Sequence, residues 1–287
     1  MEVLAMYLAP IVAAVHDLSG MGRCSLGVVL PVLSAMGCRC SSLPTAYLSA
    51  NTIFPPSDHF VFRDLTDEMI GSLDHWEEIG CTFDSLYSGF VGSERQIAVV
   101  EDFFRRFKGE NTLILVDPVM GDWGKPYRTY TSEMCRRMGA LAELADVITP
   151  NMTEAAILLN EDYETAPKTP EALEGWLRRL SLGGKRSVIL TGVHPQPGLV
   201  GAGCYDRETD AVSFTAARKV PIEFPGTGDL FASVALGELL RGTSLEHAAH
   251  RAVEFVSHCA QETKALGAPV RHGVQFETLL EELARRA

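Results

Sequence analysis

Positive charge is scarce in this chain. It has 25 Lys and Arg against 37 Asp and Glu, a net charge of −12. A protein built for nucleic acid normally carries a basic patch or a basic balance, and a membrane-surface binder carries a polybasic cluster. The charge balance therefore speaks against nucleic-acid and membrane partners. It leaves room for an anionic nucleotide, because one local site can be positive in an acidic protein. No C-x-x-C pair occurs, and the seven cysteines are an odd, scattered set, which reads as reduced thiols in a cytoplasmic protein. The apolar opening, residues 1–17, lacks a basic n-region, carries Glu2 and is too short and interrupted to span a bilayer. A buried strand at Ile11–Val15 is expected there. The sequence also lacks G-x-x-x-x-G-K-[ST], G-x-S-x-G and H-E-x-x-H, so P-loop, serine-hydrolase and zincin chemistries have no motif to rest on. His247 and His250 find no third ligand and read as helix-surface residues.

What is present is an ordinary globular composition, 46% hydrophobic and 22% charged over 287 residues, enough to bury a core without disulfide or metal staples. No linker, repeat or low-complexity stretch divides it, so one domain over residues 1–287 is expected. Short apolar runs at Ile11–Val15, Arg39–Leu43, Ser85–Ser88, Thr112–Val116, Val147–Ile148 and Ser187–Leu190 alternate with amphipathic segments, among them Ser25–Met36, Ser132–Leu144, Gly228–Leu240 and Gln275–Arg286. Strand-then-helix repetition implies βαβ units, an α/β class and a mainly parallel sheet. Val200–Tyr205 and Ala211–Phe214 predict an antiparallel hairpin at one edge. Met134, Met138 and Leu141, at helical spacing, read as core. Two long polar loops, Ser49–Asp64 and Gly121–Thr131, are candidates for lids or simple connections. In such sheets ligands bind beyond the carboxyl ends of the strands, and the candidate motifs follow strands directly.

The strongest motif is Pro225-Gly-Thr-Gly-Asp229, running into the apolar helix Leu230–Leu236. Gly226, Thr227 and Gly228 can present backbone N–H groups, with the helix's positive end behind them, to a transferring phosphoryl group. Asp229 beside them can align an incoming hydroxyl and accept its proton. The helix terminus is expected to lower the Asp229 pKa and make proton acceptance late. The plain alternative is a glycine turn with an acid in the first helical turn. Asp117-Pro-Val-Met-Gly-Asp122 follows an apolar strand. Its two carboxylates can converge on a Mg²⁺-dressed phosphate, partly through water, or simply serve a turn. Thr149-Pro-Asn151-Met-Thr-Glu154 is first a capping pattern, with Asn151 as N-cap and Glu154 three later, though Glu154 can also reach a metal-bound water. His16-Asp17-Leu-Ser19-Gly-Met-Gly22 ends the first strand. There Asp17 or Ser19 can fix polar substituents of a flat ligand, and Ser25 fills the third glycine place of a dinucleotide fingerprint.

Taken in this order, with Thr191-Gly192 after a strand, these motifs resemble the ribokinase superfamily from about Val12 to about Leu240. Arg218-Lys219-Val220 leading into Gly-Thr-Gly-Asp-Leu-Phe-Ala, and Tyr47–Thr52, resemble pyridoxal kinases within it. The resemblance implies a three-layer fold, a mostly parallel sheet flanked by helices, and MgATP-dependent phosphorylation of the 5′-hydroxymethyl group of pyridoxal, pyridoxine or pyridoxamine. By position it makes Asp229 catalytic, with Gly226, Thr227 and Gly228 as the anion hole. It puts Asp117, Asn151, Thr191, Thr227 and Gly228 on ATP, and Asp117, Asp122 and Glu154 on the metal. It sets Asp17, Ser19, Ala46, Thr52, Phe90 and Asp229 at the alcohol. It also implies a homodimer and, in some members, K⁺. The first loop departs from the pyridoxal-kinase pattern. An Asp followed closely by Ser-Gly looks like hydroxymethylpyrimidine kinases, whereas those often carry Cys where this chain has Asp229.

Overall fold

The computed structural model describes residues 9–284. In chain order the strands are β1 (Ile11–Ser19), β2 (Arg39–Leu48), β3 (Phe62–Asp64), β4 (Ser85–Ser88), β5 (Leu113–Val116), β6 (Gly121–Asp122), β7 (Lys125–Pro126), β8 (Val147–Ile148), β9 (Ser187–Val193), β10 (Leu199–Asp206) and β11 (Ala211–Arg218). The helices are α1 (Leu26–Ala35), α2 (Thr66–Glu78), α3 (Glu94–Phe107), α4 (Ser132–Ala142), α5 (Met152–Leu159), α6 (Pro170–Leu180), α7 (Thr227–Leu240), α8 (Leu245–Ala265) and α9 (Leu280–Ala284).

The inner strands are apolar on both faces, as parallel strands covered on both sides must be. Along β1, Ala13 and Val15 face one half of the core while Val12 and Ala14 face the other, and Ile114 and Leu115 of β5 divide the same way. The first half is filled from α2, α3, α4 and α6, including Phe103, Met134, Met138, Leu141 and Trp176. The second is filled from α1, α7 and α8. Helix α7 is buried nearly all round, from Leu230 to Glu238, as expected of a helix between a sheet and other helices. Truncating Phe103, fully buried at the centre of the first half, costs about 3–5 kcal/mol.

Nine strands form one sheet in the order β11-β10-β9-β8-β5-β4-β1-β2-β3. The pairs from β2 through β9 are parallel. The hairpin β10–β11 and the short β3 are antiparallel at the two edges. This is the expected three-layer α/β arrangement, hairpin included.

Three expectations need correction. β1 and β2 run four and five residues further than their apolar cores, because His16 pairs with Pro44 and, past a break in register, Leu18 and Ser19 pair with Tyr47 and Leu48. An irregularity in the register between His16 and Leu18, opposite Pro44, absorbs the proline's missing donor. The two polar loops are not structureless: Ser49–Asp64 ends in β3, and Gly121–Thr131 contains the β6–β7 ribbon. The helix expected over Gln275–Arg286 is a 3₁₀ turn at Glu277–Leu279 followed by α9, and its last two residues lie outside the described range. Among the described residues no helix is long and apolar enough to cross a membrane, and all seven cysteines are free.

Candidate active site

The site grows from the carboxyl ends of β1, β5 and β8 and from the amino end of α7. Gly226 is the N-cap of α7 and sits in the left-handed region, at φ 81°. A Cβ there would collide with the carbonyl oxygen of Arg23, whereas the α-carbon of Gly228 faces open space. One glycine lets the first loop close onto the helix start; the other leaves room in front of it. No side chain caps this helix. The N–H groups of Gly226, Thr227, Gly228 and Asp229 find no acceptor among the described residues. Gly226, Thr227 and Asp229 are half-buried and Gly228 is exposed, and unpaired N–H groups at a helix start suit an anion.

Asp229 does not turn back to its own helix. Its Oδ2 accepts from Ser25 N at 2.7 Å, and its Oδ1 lies 3.8 Å from His16 Nδ1, too far for a hydrogen bond. Its side chain is 16% exposed. Burial pushes its pKa up to about 7, against the lowering expected from the helix terminus, and the Ser25 N–H offsets this only in part. His16 is fully buried, and burial lowers its pKa to about 3, so it is a neutral imidazole and no ion partner. Its ring stacks edge-on against Tyr87 with centroids 4.5 Å apart. Asp17 accepts from Ser25 Oγ at 2.5 Å and from Ser19 Oγ at 3.2 Å, and its pKa is raised by burial. Asp17, Ser19 and Asp229 are thus brought together around Ser25.

On the other side Asp117 is buried just past β5. Its pKa is pushed up to about 8 by burial, and next by the charge of Asp229. Glu154 and Asn151 form a complete capping box: Asn151 Oδ1 accepts from the N–H of Thr153 and Glu154, and Glu154 Oε2 accepts from Asn151 N at 2.8 Å. Glu154 Oε1 also accepts from Met120 N at 3.1 Å, and Asn151 Nδ2 donates to Gly121 O at 2.9 Å. The cap therefore also pins the β6–β7 ribbon. Burial, then the charge of Asp117, holds Glu154 well above the usual carboxylate range. Asp122 is exposed on the ribbon, with Oδ1 taking Trp123 N at 2.8 Å. Burial and then the charges of Glu154, Asp122, Asp117 and Asp229 raise the Tyr127 phenol.

Asp117 and Glu154 offer buried carboxylate oxygens, with Asp122 on the neighbouring ribbon, the hard donors that a cation such as Mg²⁺ takes. Among the described residues no three acidic, His or Cys side chains are spaced to hold an ion by themselves. Waters and phosphate oxygens would have to complete the shell, the usual arrangement for Mg²⁺.

The remaining candidates come from β9, from β2 and from the segments that follow β2 and β4. Thr191 on β9 hydrogen-bonds Pro150 O through N at 2.8 Å. Beyond it a groove of about 370 Å³ is lined by His194–Leu199 and Lys219. Ala46 is buried on β2, Phe90 is half-buried with its carbonyl accepting from Thr45 Oγ1 at 3.2 Å, and Thr52 is exposed. Sequence reasoning missed His16, Tyr127 and the grip of Ser25 on Asp229. Ser25 carried a signal, since it fills the third glycine place and adopts φ 49°, a strained value for serine.

Free amides suit a migrating phosphoryl group, and a carboxylate of raised pKa beside them suits the hydroxyl that receives it. The class so defined is a small-molecule kinase. The family model described as phosphomethylpyrimidine kinase matches residues 30–273, and the chain belongs to that family. It is similar to a solved structure from Bacteroides thetaiotaomicron, provisionally named a phosphomethylpyrimidine kinase and crystallised with pyridoxal: 41% identity, TM-score 0.89, 98% of this chain and 97% of the other. It is 29% identical to a pyridoxal kinase of Deinococcus radiodurans over 58% of this chain, and spans 57% of that relative's length. It is also 29% identical to a hydroxymethylpyrimidine/phosphomethylpyrimidine kinase of Staphylococcus aureus over 84% of this chain and 86% of the relative.

Proposed function

We propose that the protein transfers the γ-phosphoryl group of ATP to the 5′-hydroxymethyl group of pyridoxal, pyridoxine or pyridoxamine. The observation that carries this reading is the Asp229 carboxylate, held by Ser25 N–H beside amides that have no partner of their own. In the reading, the N–H groups of Gly226, Thr227 and Gly228 hold the equatorial oxygens of the phosphoryl group as charge builds on them. Asp229 orients the substrate hydroxyl and takes its proton as the new O–P bond forms and the bond to ADP breaks. A carboxylate with pKa about 7 is a better acceptor than an ordinary one, yet is still half ionised near neutral pH. Asp117 would hold Mg²⁺, with Asp122 and Glu154 reaching it through water; the ion would neutralise charge on the nucleotide phosphates. Asn151 and Thr191 shape the nucleotide side, and the groove at His194–Leu199 with Lys219 takes the base. Asp17 and Ser19 support the ring pocket, with Ala46, Thr52 and Phe90 around it.

Asp229 favours the B6 vitamers. A second reading, hydroxymethylpyrimidine as acceptor, draws on the first loop, Asp17-Leu-Ser19-Gly20, and on the name of the family. Both acceptors are flat heteroaromatics bearing CH₂OH, so one pocket can serve either. Parallel turnover assays with MgATP on pyridoxal, pyridoxamine, hydroxymethylpyrimidine and ribose separate them. The expected result is the highest kcat/KM on a B6 vitamer. A higher value on the pyrimidine would replace the first reading with the second, and nucleotide binding without turnover on any alcohol would reduce the protein to a binder.

A further inference from the structure

We propose that Arg23 and Glu277 are positioning residues: they fix the C-terminal segment against the first loop and thereby set the spacing between Asp229 and the α7 amides. The proposal rests on the reading of Asp229 given above. Residues 23–25 act as a strut. At one end, Ser25 N grips Asp229 Oδ2 at 2.7 Å. In the middle, the Arg23 carbonyl abuts the α-carbon of Gly226, where no side chain would fit. At the other end, Arg23 Nε donates to Glu277 Oε1 at 2.6 Å, and Arg23 N and Nη1 donate to His272 O at 3.1 and 3.2 Å.

The same C-terminal segment reaches the other walls of the site. Val274 N donates to Pro225 O at 3.2 Å, just before the amide cradle. Asn51 Nδ2 donates to Arg271 O at 3.4 Å, and the Phe54 ring stands edge-on to His272 at 5.4 Å. Gly273, at φ 81°, is pressed on the Arg23 backbone. Residues 271–277 therefore hold the first loop, the Asn51 loop and the start of the cradle in one grip. Both Glu277 and Arg23 fall outside the span matched by the family model. An ion pair as exposed as this one adds little to global stability. Geometry in a site is less forgiving, since a misplacement of about 1 Å can cost on the order of a hundredfold in rate.

The test uses the full chain with ATP and pyridoxal, comparing Glu277→Gln, Arg23→Met, Arg23→Glu, the reversed pair Arg23→Glu/Glu277→Arg, and Asp229→Asn as reference. The expected result is kcat lower by about tenfold in the first two, KM for ATP within about threefold, and melting temperature close to that of the parent. The reversed pair should recover part of the turnover that Arg23→Glu loses. Parent-like kcat in both Glu277→Gln and Arg23→Met, losses that track melting temperature, or losses that simply multiply in the reversed pair would overturn the proposal. If Asp229→Asn is inactive while Glu277→Gln and Arg23→Met are both normal, the strut fails alone. If Asp229→Asn turns over normally, the reading of Asp229 fails first.

Discussion

Helices α5 and α7 carry an acid at the same place, three residues past the N-cap: Glu154 after Asn151, and Asp229 after Gly226. In α5 the acid folds back onto its own N-cap amide, the Asn151 side chain takes two more amides, and the helix start is closed. In α7 the cap is a glycine with nothing to offer, and Asp229 reaches sideways to Ser25 N–H, leaving the helix's own amides open. The same local pattern thus yields a sealed terminus in one place and a loaded one in the other. The difference lies in a partner 204 residues away in sequence. A closed terminus contributes stability; an open one holds unspent hydrogen-bonding capacity for an anion.

Three substitutions break or sharpen that contrast. The largest effect is expected from Asp229→Asn, which keeps the Ser25 contact through the amide oxygen but cannot take a proton; turnover should fall by about 10²–10⁴. Its stability should move the other way. The folded pKa of Asp229 is raised from 3.8 to about 7, so between those values the native state binds more protons than the unfolded one. The Asp229 contribution therefore erodes as pH rises through that window and is fully lost above about 7. Asp229→Asn should accordingly melt higher than the parent at pH 8 and show little gain at pH 4. A lower melting point at pH 8 would contradict the burial argument.

Next comes Gly228→Ala. Its new methyl meets nothing in the protein, so melting should change little while ATP turnover drops by about tenfold as the cradle narrows. Unchanged kcat would put the phosphate elsewhere. The smallest catalytic effect is expected at the closed terminus. Glu154→Gln turns one of two backbone acceptors into a donor, and should cost about 1–2 kcal/mol in chemical denaturation, with a higher Mg²⁺ requirement and nearly normal kcat at saturating metal. A stability loss with unchanged Mg²⁺ dependence would leave Glu154 as a cap and nothing more.

The contrast also marks what the sequence could reveal. Both acids, the Asn151 cap, the glycine turn before α7 and the strand preceding Asp117 were legible, because local spacing and apolar runs determine them. The ends of β1 and β2 were not, since the polar His16, Asp17 and Thr45 are buried in strand by contacts with distant residues. The raised pKa of Asp229 was misread for a related reason. Helix-terminus electrostatics are local and visible in sequence, whereas the burial that outweighs them is set by β1, the first loop and α7 meeting in space. The strut through Arg23 and Glu277 was hidden by the same distance, and by a C-terminal stretch that reads as one helix but folds as a turn and a short helix.

The most direct measurement is the backbone amide NMR of Gly226–Asp229 as a non-hydrolysable ATP analogue with Mg²⁺ is added, read against the amides of Thr153 and Glu154. Large downfield proton shifts in the α7 amides, with those of α5 nearly still, are the result that free donors at one terminus and satisfied donors at the other require. Motionless α7 resonances in the nucleotide-saturated protein, or equal shifts at both termini, would contradict the account.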